Sequence, residues 1–341
     1  MNKETKRVLI AETTFSWKKF FLKWEWFLVL IFIGINIMNS FISPYYLSVS
    51  GLLSATSSFL EKAFIVLPMV FILIMGDIDI SVGSVVALSA VIMGESYNRL
   101  GLPMGLAIII CLLVGALCGF INGFILIKFK ELAPMIVTLG TQILYRGIAT
   151  MILKDQASTG LTSITWFSNL YWGSIFGIPY MLIVFIVFAV IFGYILHKTN
   201  FGRYLYAIGS NETAAHFSGV EVDKVRLITF TLTGLFSAVT AVFLASRMGS
   251  VRPNIAVGYE LEAISMVVLG GISSAGGKGN FIGAIISIFI IGLLRYGLGL
   301  INIPSQVMLV VIGSLLILAV LIPQLNLGKY FRRKQGVVKE A

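Results

Sequence analysis

Long apolar runs recur along this chain, and their length decides its class before any other feature. An α-helix rises 1.5 Å per residue, so ~20 apolar residues cross the ~30 Å hydrocarbon core of a bilayer. At that scale, apolar helices fall at 26–43, 58–75, 82–98, 103–127, 133–152, 174–196, 226–246, 258–272, 280–300 and 304–323. Composition agrees: of 341 residues, 58% are hydrophobic and 12% charged, against about 25% charged in a soluble domain. Such a chain lacks the polar surface to face water all round. The expectation is an all-α, polytopic membrane protein with about ten transmembrane helices.

Charge placement sets the expected orientation. Eighteen of the 25 lysines and arginines lie before residue 26, at 128–131, 197–226 and 272–280, and after 325, which ten spans put on one side. That is the positive-inside bias, and it makes both termini cytoplasmic. The net charge of +10 therefore belongs to membrane topology rather than to nucleic-acid binding. Three regions follow: a cytoplasmic segment 1–25, a membrane domain 26–325 with a cytoplasmic loop at 197–225, and a basic tail 326–341. The 25 residues before the first apolar run are too long and polar for a signal-peptide n-region, so that run is kept as a transmembrane helix. Ahead of it, Trp17, Phe20, Phe21 and Trp24 alternate with Lys18, Lys19 and Lys23. This suits an amphipathic helix in the cytoplasmic interface, or an ordered juxtamembrane end with an aromatic belt.

Catalytic constellations are not found. The only histidines, His197 and His216, lie nineteen apart in a polar loop, and no metal-ligand spacing or Gly-x-Ser-x-Gly elbow occurs. Gly271 to Gly279 approaches a phosphate loop but carries Gly277 where the lysine belongs, with no hydroxyl after Lys278. The chain is expected to be no enzyme, with no catalytic residue, metal or cofactor of its own. Cys111 and Cys118 are two helical turns apart, ~10.5 Å, too far for a disulfide.

Several residues are candidates for transport. Gly115, Gly119 and Gly123 stack on one helix face and favour close helix packing over a substrate path. Glu61, Asp77, Asp79, Glu260 and Glu262, the acids a secondary carrier could use, all fall near expected span ends. Arg146 lies deep in the fifth span, where it either snorkels outward or lines a cavity. In the loop, Asn211 is a good N-cap, Glu212 suits the positive helix end and Gly219 the stop. The short helix between them fits either a plug for a partner's groove or a plain connector.

At these segments the chain resembles the permease subunits of ribose-type ABC importers, a group that includes xylose, arabinose, rhamnose and autoinducer-2 systems. Four stretches carry the resemblance: Gly76-Asp77-Ile78-Asp79-Ile80-Ser81-Val82-Gly83-Ser84; Thr138-Leu139-Gly140-Thr141 with Arg146-Gly147; Thr199 to Val220; and Glu260 to Gly271 with Gly276 to Gly279. Asp77 departs from a family glycine, Glu262 from a usual aspartate and Glu61 from a neutral polar residue. The resemblance implies import of a pentose, deoxyhexose or related small polar sugar across the cytoplasmic membrane. Implied partners are a separate ATPase that binds Mg-ATP, an extracytoplasmic sugar-binding protein, and a second permease, identical or a close paralogue. It assigns ATPase coupling to Gly209, Asn211, Glu212, Ala214, Ala215, Ser218 and Gly219. Weak solute contacts are expected at Asp79, Ser81, Thr138, Thr141 and Arg146. Permeases for branched-chain amino acids or nucleosides share this architecture, and a stand-alone secondary carrier is the rival from another class.

Overall fold

The computed structural model describes residues 24–43, 46–154, 156–304 and most of 306–317. Helices account for nearly all regular structure there: α1 (Trp24–Ile42), α2 (Val49–Met75), α3 (Val82–Asn98), α4 (Met104–Lys128), α5 (Pro134–Leu153), α6 (Thr165–Trp172), α7 (Tyr180–Lys198), α8 (Asn200–Ser210), α9 (Glu212–Phe217), α10 (Val222–Met248), α11 (Tyr259–Leu269) and α12 (Phe281–Leu300). A 3₁₀ turn (Leu161–Ser163) and four two-residue strands accompany them: β1 (Ser158–Thr159), β2 (Ser174–Ile175), β3 (Ile178–Pro179) and β4 (Ser250–Val251). β1 pairs antiparallel with β4, and β2 with β3.

Among the described residues, seven helices are long and apolar enough to cross a membrane: α1, α2, α4, α5, α7, α10 and α12. Two expected spans are shorter. α3 has the 17 residues expected at 82–98, and α11 has 11, stopping at Leu269 short of the expected 272; non-helical peptide at 76–81 and 249–258 precedes them. Of the tenth expected span the described part is a shorter apolar helix, Gln306–Leu315, and the rest lies outside the described residues, as do the aromatic–lysine stretch before Trp24 and the basic tail.

Two boundaries correct the sequence reading. α2 begins at Val49 rather than 58, because Ser48 caps it by accepting from the Gly51 amide and the Thr56 and Ser58 hydroxyls donate to carbonyls inside the helix. α7 begins at Tyr180 rather than 174. The apolar residues before it form the β2–β3 hairpin, whose Phe176 and Gly177 both have positive φ, as a type I′ turn requires.

α2 is the axis of the fold. Every residue from Phe59 through Met75 is buried, the charged Glu61 and Lys62 included, the mark of a helix enclosed on all sides. α7, α10, α11 and α12 surround it, and Phe64 stacks on Phe243 with centroids 5.0 Å apart. α4 makes the opposite arrangement. Leu106, Ile109, Leu113, Leu117, Phe120 and Phe124 form its exposed stripe, while Cys111, Gly115, Cys118, Gly119, Asn122 and Gly123 face inward. Large apolar groups outward and small or polar groups inward is the pattern a lipid solvent selects. The inward glycines meet α10 backbone to backbone: Gly115 lies against Gly234 and Ala238, Gly119 against Phe230 and Gly234, and Gly123 against Leu227.

Candidate functional site

The non-helical stretch 249–258 runs back along α3. Val251 lies against Gly94 near one end of that helix, and the Ala256 carbonyl against Gly83 near the other, covering about 16 Å of helix axis. Irregular backbone inside a membrane domain needs partners supplied by the protein. Arg146 supplies two: its Nη1 donates to the Pro253 and Ile255 carbonyls at 2.5 and 2.6 Å. In the first turn of α11, Glu260 Oε1 accepts from the Gly258 amide and from Gln142 Nε2, both at 3.2 Å. The structure thus places Arg146 as a donor to backbone, half-buried between α5 and this stretch. Arg146→Ala is expected to strand two carbonyls, each unmet buried group costing about 1–3 kcal/mol. Hydrogen exchange at residues 254–258 should then accelerate at least about tenfold, while insertion persists; unchanged exchange in that segment would remove Arg146 from this role.

The second interruption, 76–81, carries a chain of hydrogen bonds. Tyr145 OH donates to Asn122 Oδ1 at 3.2 Å, Asn122 Nδ2 to Ser81 Oγ at 2.8 Å, and Ser81 Oγ to Asp79 Oδ1 at 2.7 Å. The Ser81 amide donates to the same carboxylate oxygen at 2.9 Å. Thr138 Oγ1 reaches the Ile78 and Pro134 carbonyls, and Thr141 Oγ1 donates to the Thr138 carbonyl. Asp79, Ser81, Thr138 and Thr141 therefore come together, buried and already bonded within the chain. Sequence reasoning missed Asn122, Tyr145 and Gln142. Asn122 was findable as an amide inside an apolar span, where polar side chains are expensive and mark function or packing.

Backbone contact joins three distant segments at the end that holds α8 and α9. The Gly277 amide donates to the Ile74 carbonyl at 2.8 Å, Gly209 sits against both, and Gly276 lies against Gly76 and Gly209. A side chain at Gly209 has no room there. From this platform α9 projects. Asn211 Oδ1 accepts from the Ala214 amide at 2.9 Å, the Ser218 hydroxyl donates to the Ala214 carbonyl at 2.8 Å, and Gly219 takes φ +85. Of its small residues Ala214 faces outward and Ala215 inward, with Phe217 85% exposed beside them. Glu212 at its start meets Arg226 of α10, and this hydrogen bond holds the Glu212 carboxylate below its usual range. Arg226 also pairs with Asp77 at 2.9 Å.

A further ionic group corrects the placing of one acid, Glu61. With α2 starting at Val49, Glu61 and Lys62 lie at its middle, not near a span end. Lys62 Nζ and Arg295 Nη2 both donate to Glu262, at 3.0 and 2.8 Å. Arg247 and the Tyr259 hydroxyl meet Glu61 Oε1 at 3.1 and 3.0 Å. The cluster ties α2 to α10, α11 and α12.

Buried polar side chains converging on two interrupted helices, inside a jacket of outward apolar stripes, define an all-α polytopic membrane protein built for transport. Residues 51–320 match the family described as branched-chain amino acid transport system / permease component. The chain belongs to that family: it is an ABC-transporter permease, a multi-pass protein of the cell membrane and not an enzyme. Similar relatives include the autoinducer 2 import system permease protein LsrD of Escherichia coli strain K12, 36% identical over 304 residues, 87% of this chain and 91% of the relative. LsrD of Shigella flexneri matches to the same extent, and LsrD of Photorhabdus laumondii is 36% identical over 87% of this chain and 90% of its own. No solved structure matches the chain.

Proposed function

We propose that this chain is the membrane-spanning subunit of an ATP-driven importer for a small sugar-like polar solute of the autoinducer-2 kind. The single observation that carries the solute class is the 36% identity to autoinducer-2 import permeases across 304 residues. In this reading ten helices span the membrane, both termini are cytoplasmic, and α9 lies on the cytoplasmic face. A separate ATPase seats α9 through Ala214 and Phe217, a binding protein delivers solute at the opposite end, and a second permease completes the path. Asp79, Ser81, Thr138 and Thr141 offer the donors and acceptors that sugar hydroxyls need.

A second reading, import of branched-chain amino acids, is favoured by the description of the matching family. Uptake of autoinducer-2 and of leucine into cells carrying the complete importer separates the two: leucine uptake without autoinducer-2 uptake would overturn the sugar reading. The docking role is tested by Ala214→Asp, an outward position whose change spares the core. This variant is expected to insert normally, release the ATPase on purification and lose essentially all uptake, since an unpaired charge at an interface centre costs about 2–5 kcal/mol. Retention of the ATPase at the parental level would remove α9 from the docking role.

A further inference from the structure

Arg226 reaches from the first residue of α9 to the start of the non-helical 76–81 stretch between α2 and α3. Its Nη1 and Nη2 donate to Glu212 Oε1 and Oε2 at 3.2 and 2.9 Å, and its Nε donates to Asp77 Oδ2 at 2.9 Å. The Arg226 and Asp77 side chains are 9% and 7% exposed, while Glu212 is 51% exposed. One planar guanidinium therefore links a solvent-facing carboxylate to a buried one. A bidentate fork fixes direction as well as distance.

We propose that Asp77 and Arg226 are positioning residues that transmit movement of α9 into the 76–81 peptide and so to the polar groups of the path. The proposal rests on α9 being the ATPase-docking helix. Three features support it. α9 is six residues long with Ala215 its one buried side chain, so packing alone holds it weakly. Gly209 meets Ile74 and Gly277, and Gly276 meets Gly76 and Gly209, backbone against backbone; these contacts resist approach, and the hydrogen bond among them, Gly277 to Ile74, does not involve the α8–α9 segment. On the far side, Asp79 binds both the amide and the hydroxyl of Ser81, and Thr138 donates to the Ile78 carbonyl, so the short peptide that Asp77 begins leads directly to groups bonded to Ser81 and to α5.

The test uses the complete importer in proteoliposomes, with autoinducer-2 as the transported probe. Asp77→Asn keeps the shape and loses the charge; Arg226→Lys keeps the charge and loses the fork. Both are expected to insert and to retain the ATPase at the parental level. Solute molecules imported per ATP hydrolysed should fall about tenfold, within the usual range of coupling between sites. Asp77→Glu should recover at least half of the parental ratio, a rescue that mere loss of packing does not allow. A parental ratio in both variants overturns the proposal while leaving the docking role of α9 standing. Failure of both variants to insert overturns it too, by making the pair a folding staple. A parental chain that never retains the ATPase removes the docking reading and this proposal together.

Discussion

Glu262→Ala is expected to destabilise the folded protein by about 3–5 kcal/mol, the cost of breaking a buried charge pair from one side. Glu262 is the shared acceptor of Lys62 and Arg295, at 3.0 and 2.8 Å. Removing it deletes two attractions and strands two cations facing each other among apolar helices. The larger part of the loss falls on Lys62, 11% exposed, because Arg295 at 24% keeps some access to polar surroundings. The combined change Lys62→Met, Glu262→Leu and Arg295→Met is expected to recover most of the loss, since a well-packed apolar replacement of a buried ionic group is often neutral or better. Thermal unfolding of the purified protein in detergent checks both. If Glu262→Ala melts with the parent, or the triple change is as damaging as the single one, the cluster is not held by pairing.

Gly119→Ala should have the next largest effect, and its sign is the informative part. In a helix interior, glycine to alanine is worth roughly 1 kcal/mol in favour of the variant. At Gly119 the new Cβ meets the Phe230 carbonyl and lies 3.0 Å from the Gly234 amide nitrogen. Both are backbone atoms of α10, so no rotamer change relieves the contact and the two helices must separate. Overpacking of this kind costs about 1–3 kcal/mol, occasionally more, and here it outweighs the gain in propensity. Gly105, on the same helix with nothing within 4 Å, is the control, where alanine should be neutral or stabilising. Opposite shifts in melting temperature are expected; equal shifts would show that the α4–α10 approach does not depend on the missing side chain.

Much of the helix pattern was legible in the sequence, for a plain reason: in lipid every backbone group of a span must bond within its own helix, so apolar length alone locates it. α3 runs at 82–98 as expected, and α4, α5 and α12 differ by a residue at their ends. The misreadings have local causes. Hydroxyls at Ser48, Thr56 and Ser58 lower the apparent hydropathy of the first turns of α2, yet they bond within those turns. The apolar residues of 174–179 look like helix until Phe176-Gly177 is read as a turn. The site was less legible. Candidates within one motif, such as Asp79 with Ser81, come together, whereas Ser81–Asn122, Arg146–Pro253 and Asp77–Arg226 join residues tens to more than a hundred positions apart. Nothing in local periodicity encodes such pairings. The middle position of Glu61 and Lys62 stayed hidden because it depends on where α2 starts.

The sheathing of α2 has a consequence for biogenesis. A helix whose second half touches no solvent must leave whatever first surrounded it after insertion, because α7, α10, α11 and α12 are all synthesised later. Until the last third of the polypeptide emerges, Glu61 waits for Arg247 and Lys62 for Glu262. Closing this ring is thus a late event in the life of the nascent chain. A ribosome stalled before α10 leaves the central strut without the partners of Glu61 and Lys62.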